Sequence, residues 1–122
     1  MKTVNVLLAA AALALATAAQ AQEGTLKKIK DSGTITVGHR DASIPFSYYD
    51  DKQQPVGYAL DICMAIVDAV KKELSMPNLK ISYQLVTSAN RIPLIANGTV
   101  DLECGSTTNN NERQQQVAFT NT

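Results

Sequence analysis

The feature that most constrains this chain is the order in which its hydrophobic period changes. Thr34, Ile35, Thr36 and Val37 open a β-branched run ending at His39, which predicts a strand. Leu60, Cys63, Met64, Val67, Val70 and Leu74 then recur at helical spacing, while Asp68, Lys71, Lys72 and Glu73 fall mostly elsewhere. Met76-Pro77-Asn78 stops that helix. Lys80 to Val86 alternates, with Ile81, Tyr83 and Leu85 against Ser82 and Gln84, so a second strand follows. Ser88 to Asn97 predicts a short helix with Ser88 as its N-cap and Asn97-Gly98 as its stop. Thr99 to Cys104 gives a third strand, with Val100, Leu102 and Cys104 on one face. Strand, helix, strand, helix, strand predicts an α/β fold: a three-layer, open, mostly parallel sheet with right-handed crossovers.

The flanks fit around this unit. Gly24 to Asp31 reads as a short helix ended by Ser32-Gly33. Asp41 to Val56 is loop or hairpin, punctuated by Pro45 and Pro55, with a polar tip from Asp50 to Gln54. Asn109 to Gln116 predicts a last helical turn with Asn109 and Glu112 as capping pair, and Val117 to Phe119 the start of a strand.

Residues 1–21 stand apart. Lys2 gives a positive start, an alanine-leucine run extends from Val6 to about Ala16, and Ala19-Gln20-Ala21 has the small-x-small form of a signal-peptidase site. The run is shorter than the ~20 residues a bilayer crossing needs. The expectation is a signal peptide over 1–21, a mature chain over 22–122, and a periplasmic protein with no membrane insertion after cleavage. Loss of Lys2 takes the 11 basic residues to 10, against 11 acidic. Such a balance gives no reason to expect nucleic acid as a partner.

Export places Cys63 and Cys104 in an oxidising compartment. They form no CxxC pair, and no His/Cys cluster suggests zinc or another metal. Two readings stand side by side: one disulfide closing a 41-residue separation, or two free thiols filling the core.

In open α/β sheets, ligands bind beyond the carboxyl ends of the strands. The chain has three arginines, and all map there: Arg40 after the first strand, Arg91 at the helix after the second, Arg113 in the segment after the third. A guanidinium presents a planar fork that matches a carboxylate with two parallel hydrogen bonds. Three forks on one edge predict a ligand with more than one carboxylate. Ser88, Ser106, Thr107 and Thr108 add hydroxyl groups at the same edge. The bland alternative is three solvated arginines beside ordinary helix caps. Glu103, a charge inside a strand, is expected to pair with Arg40 across neighbouring strands. The single histidine, His39, has no serine or cysteine partner in any nucleophile motif and reads as structural.

Several stretches resemble the family 3 solute-binding proteins of amino-acid import systems. They are Leu26 to Gly33 followed by Ile35 to Gly38, Pro45-Phe46-Ser47-Tyr48, Pro55-Val56-Gly57-Tyr58, Ile92 to Asp101, and Arg113 spaced before Val117 to Thr120. Gly38 to Tyr48 and Cys104 to Asn110 are similar to the glutamate/aspartate subgroup. The resemblance implies lobe 1 of a periplasmic-binding-protein-like type II fold, capturing glutamate or aspartate for the membrane permease of an ABC importer, without cofactor or metal. It also implies roles: Arg113 and Thr108 take the α-carboxylate, Ser106 helps hold the ammonium, and Arg40 and Arg91 with Ser88 take the side-chain carboxylate. Family members continue through a hinge into a second lobe. The sequence ends at Thr122, about where that hinge would begin, so the expectation is a truncated half-site with the second lobe absent. Two other functions share the fold: a periplasmic dehydratase-like enzyme, for which no acid–base pair is visible, and the ligand-sensing domain of a receptor.

Overall fold

Strand β1 (Thr34–His39) is the axis of the sheet, because its β-branched, apolar residues can be covered on both flanks by other strands. The computed structural model describes residues 24–121 of the chain. The signal-peptide expectation for 1–21 lies outside the described residues. The chain divides into two compact units, one up to Ser32 and one from Gly33 onward. In the first, residues 24–32 form helix α1, with Ile29 buried and an exposed Lys27–Asp31 ion pair of 2.6 Å one turn apart.

In the second unit β1 pairs in parallel with β5 (Lys80–Leu85) on one side and β6 (Leu102–Cys104) on the other, giving the order β5-β1-β6. Val37 faces Leu102, Gly38 faces Glu103, and His39 faces both Leu85 and Cys104. This is the open, parallel α/β arrangement that the strand–helix alternation predicts. The segment 41–56 forms a small antiparallel sheet of β2 (Ala42–Ser43), β3 (Ser47–Tyr49) and β4 (Pro55–Val56), turning at the polar tip. The Ile44–Pro45 peptide is cis.

Helix α2 (Tyr58–Glu73) buries Leu60, Cys63 and Val67, the heart of the predicted stripe, and packs against β6, β3 and β4. Its start uses no side-chain cap. The N–H groups of Tyr58 and Ala59 donate instead to the backbone carbonyls of Pro45 and Phe46, both at 2.9 Å. Gly57, with φ of +133°, makes this approach possible: a Cβ there would strike the Phe46 carbonyl and stand 2.9 Å from Ser47 N. The core of the unit is Ile35, Val37, Leu60, Cys63, Val67, Leu79, Val86, Val100 and Cys104. Cys63 and Cys104 form a disulfide with an S–S distance of 2.08 Å, which decides between the two readings of these residues and ties α2 to β6.

Some boundaries move. Helix α3 is Arg91–Ala96, shorter than expected, and Ser88 does not cap it. Thr87 and Asn90 exchange bonds instead: Thr87 N donates to Asn90 Oδ1 at 2.7 Å and Asn90 N to Thr87 Oγ1 at 3.2 Å. Helix α4 is the short Asn111–Gln114. Its cap is Asn110, whose Oδ1 accepts from Arg113 N at 2.9 Å, while Asn109 receives a bond from Gln114 Nε2 at 2.7 Å. Residues 117–119 form no strand, and the apolar edge β5 keeps Tyr83 and Leu85 exposed.

Candidate functional site

The three parallel strands end together, and the chain leaves each of them toward the same edge. Arg40 follows β1 directly. Its N–H donates to Ser47 Oγ at 2.9 Å, and Ser47 is completely buried, so β3 pins the backbone that carries this guanidinium. Arg91 opens α3 after β5; only 8% of it is exposed. Arg113 sits in α4 beyond β6 and donates from Nη1 to the Thr108 carbonyl at 2.8 Å. That bond ties α4 to the loop that follows β6. Ser88, Ser106 and Thr108 stand exposed in the loops at this edge, and Thr107 is half-buried.

Glu103 shows that the arginines share one electrostatic neighbourhood. Burial pushes its carboxyl above the ordinary carboxylate range, while the Thr107 hydroxyl and the guanidinium groups of Arg91, Arg40 and Arg113 pull the other way. Arg91 reports the same cluster from its side. Burial lowers its pKa, Glu103 opposes that, and repulsion from Arg40 and Arg113 adds to it. The expected Arg40–Glu103 ion pair does not form among the described residues. Glu103 Oε1 and Arg40 Nε are both buried without a hydrogen-bond partner, as are Arg91 Nε and Nη1 and Thr107 Oγ1. Thr107 is thus near enough to act on the carboxyl without reaching bonding geometry. Glu103 instead feels several cations at once, and its Oε1 lies close over Gly105. A Cβ on Gly105 would strike Glu103 Oε1 and come within 3.0 Å of Arg40 Cγ.

A groove of about 270 Å³ runs along β6. Arg91, Glu103 and Thr107 line its polar side, and Ile62, Ile66 and Phe119 its apolar side. Arg40, Ser88, Ser106, Thr108 and Arg113 do not line it. Two features of the site were missed in the sequence. Ser47 reads there as one more polar loop residue, although a serine between Phe46 and two tyrosines is a weak hint of a buried hydroxyl. Gly105, between a strand and three hydroxyl residues, carries the sequence signal of a close approach. His39 is 2% exposed, with its ring edge-on to Tyr49 and Tyr83 at centroid distances of 5.2 and 6.1 Å, a packing role. Among the described residues no His/Cys/Asp/Glu group is arranged to hold a metal ion, and no helix is long and apolar enough to cross a membrane.

Residues 35–122 match the bacterial extracellular solute-binding proteins, family 3. The chain belongs to this family. It is 61% identical over 111 residues to an L-glutamate/L-aspartate-binding protein of Pseudomonas aeruginosa, covering 90% of this chain and 37% of the relative. It is 58% identical over 105 residues to a glutamate/aspartate import solute-binding protein of Escherichia coli, covering 86% of this chain and 35% of the relative. Among solved structures it is similar to a cysteine-binding protein from Campylobacter jejuni, with 31% identity and a TM-score of 0.66, covering 79% of this chain and 37% of that one. The chain therefore spans about a third of the length of the relatives it matches. Its fold is that of one lobe of a type II periplasmic binding protein.

Proposed function

We propose that this lobe captures L-glutamate or L-aspartate reversibly, outside the cytoplasmic membrane, for delivery to the permease of an ABC importer, and performs no chemistry on them. Arg113 and Thr108 take the α-carboxylate, Ser106 helps hold the ammonium, and Arg40 and Arg91 with Ser88 take the side-chain carboxylate. Residues 1–21 serve as the export signal and are removed. What supports the reading is the crowding of cationic groups about Glu103: Arg91 shares its groove, Glu103 Oε1 and Arg40 Cγ both crowd Gly105, and the charge of Arg113 also acts on the carboxyl. Cations forced together at a sheet edge, with buried N–H groups left unpartnered, favour an anion that brings oxygens to them. The identity to two proteins named for glutamate and aspartate supports the choice of ligand.

Exposed ion pairs contribute about 0–1 kcal/mol each. Three such contacts fall short of the ~4.1 kcal/mol that millimolar binding requires, although burial of Arg91 adds to them. One lobe should accordingly bind near the millimolar range or more weakly. Amide chemical shifts followed by NMR during titration with L-glutamate, L-aspartate and L-glutamine test this. The two dicarboxylates should shift residues near 40, 91 and 113, and Arg91→Met should abolish the response. Equal responses to L-glutamine, or an unchanged response in Arg91→Met, would overturn the reading.

A further inference from the structure

Glu103 is a half-buried carboxylate, with its Oε1 enclosed, that capture, as just described, leaves without a task. Its surroundings are specific. Its Oε1 is buried without a hydrogen-bond partner, as are Arg40 Nε and Arg91 Nε and Nη1. A Cβ on Gly105 would meet both Glu103 Oε1 and Arg40 Cγ, and Arg91, at the start of α3, lines the same groove as Glu103. Arg113 in α4 adds a weaker pull. Asp101, two residues earlier on the same groove wall, accepts a bond from Thr36 N at 2.9 Å and is held toward β1. His39 is in register with Cys104 rather than with Glu103, so strand alternation puts its ring on the opposite face, against Tyr49 and Tyr83. The α2 side of the groove is apolar, formed by Ala59, Ile62, Cys63 and Ile66. The charges that face Glu103 are therefore cationic, and what opposes its ionisation is burial.

This balance depends on whether the arginines are occupied. Without a ligand, the guanidinium charges favour an ionised Glu103, and Glu103 in turn relieves the repulsion that Arg91 receives from Arg40 and Arg113. A ligand with two carboxylates supplies the same negative charge from outside. It quenches the cationic field at Glu103 while leaving the carboxyl just as desolvated. We propose that Glu103 is a stand-in for the ligand: it balances guanidinium groups 40, 91 and 113 in the empty site and takes up a proton from solvent when a dicarboxylic amino acid binds. The inference rests on the capture reading above. It makes binding proton-linked, so affinity falls as pH rises through the range in which Glu103 ionises. No bond is made or broken beyond the O–H of the carboxyl, and the proton comes from water or buffer.

The direct test is a pH titration by NMR of the whole chain, with glutamate side-chain carboxyls labelled with carbon-13. The Glu103 signal is assigned through bonds to its own backbone, so no variant is needed to find it. The titration is repeated in stepped concentrations of L-aspartate. The Glu103 midpoint should move upward by about one pH unit as ligand is added, the size of shift that one nearby charge produces. Affinity in the unmodified chain should fall about tenfold across that window. Glu103→Gln should remove this slope, and His39→Gln should keep it. A fixed Glu103 midpoint, together with amide shifts that report binding, overturns the stand-in role and leaves capture intact. No amide shift at any L-aspartate concentration overturns both.

Discussion

Breaking the Cys63–Cys104 bond should cost this lobe a large part of its stability. The bond spans a sequence separation of 41, and chain entropy assigns a closed loop of that length about 4 kcal/mol through restriction of the unfolded state. A single domain has about 5–15 kcal/mol in all. For a domain near 100 residues, each kcal/mol corresponds to about 4–8 °C in Tm, so reduction should lower Tm by roughly 15–30 °C. Both half-cystines are in the core, at 5% and 2% exposure. Replacing both by alanine therefore adds a small packing loss, on the order of 1 kcal/mol, that reduction alone does not. Urea unfolding of the oxidised chain, the reduced chain and the Cys63→Ala/Cys104→Ala variant separates the two contributions. If thiol titration shows complete reduction and the unfolding free energy changes by less than about 1 kcal/mol, the loop argument is wrong. The unfolded chain would then already hold α2 and β6 together without the bond.

Three further outcomes follow from single contacts. Ser47→Ala removes a fully buried hydroxyl and leaves the Arg40 N–H without its 2.9 Å acceptor, which should cost about 1–3 kcal/mol in urea unfolding; an unchanged midpoint would mean that another acceptor takes over. Gly57→Ala sets a Cβ against the Phe46 carbonyl at a φ of +133°, where the obstacle is backbone and cannot swing aside, so a loss above about 2 kcal/mol is expected and wild-type stability would refute the close approach. Burial raises the Glu103 pKa in the folded chain, so the folded state holds that proton to higher pH than the unfolded state does. The associated stability is complete below the unfolded value and is lost as pH rises through the folded one. Glu103→Gln should flatten the fall in stability as pH rises above the ordinary carboxylate range, and a curve parallel to that of the unmodified chain would contradict the assignment.

Much of this fold is legible because its elements have long, consistent patterns. Val37 and Val67 are buried where the strand and helix periods put them, and the parallel order follows from crossovers that must be helical. The departures are at the short elements. Ser88, Asn90, Asn109 and Asn110 all have the chemistry of a helix cap, and residue type alone does not choose among neighbours with equal propensity. At α3 no side chain caps the helix, and Thr87 and Asn90 bond each other's N–H groups just before it; at α4 the choice falls to Asn110, whose side chain meets the free N–H of Arg113. Val117 to Phe119 has the composition of a strand, but a strand also needs a partner edge, and composition says nothing of the edge. The same gap explains β5, whose Tyr83 and Leu85 alternate correctly and are still exposed at the border of the sheet.

The site divides along similar lines. That Arg40, Arg91 and Arg113 sit beyond strand ends follows from counting elements, and the structure puts their charges within reach of one carboxyl. Glu103 is conspicuous in the sequence because a charge between the apolar Leu102 and Cys104 of a strand conflicts with its neighbours, and such local conflicts are where function tends to lie. The single partner expected for it was wrong for a physical reason. Strand pairing predicts neighbours one at a time, and in register Glu103 faces Gly38, which has no side chain to offer. The charges that matter arrive from α3 and α4 as well as from β1, and electrostatic energy sums over all of them. A pairwise rule therefore names one arginine where the field has three. The absent Cβ of Gly105 is what lets the carboxylate lie among them instead of committing to the nearest.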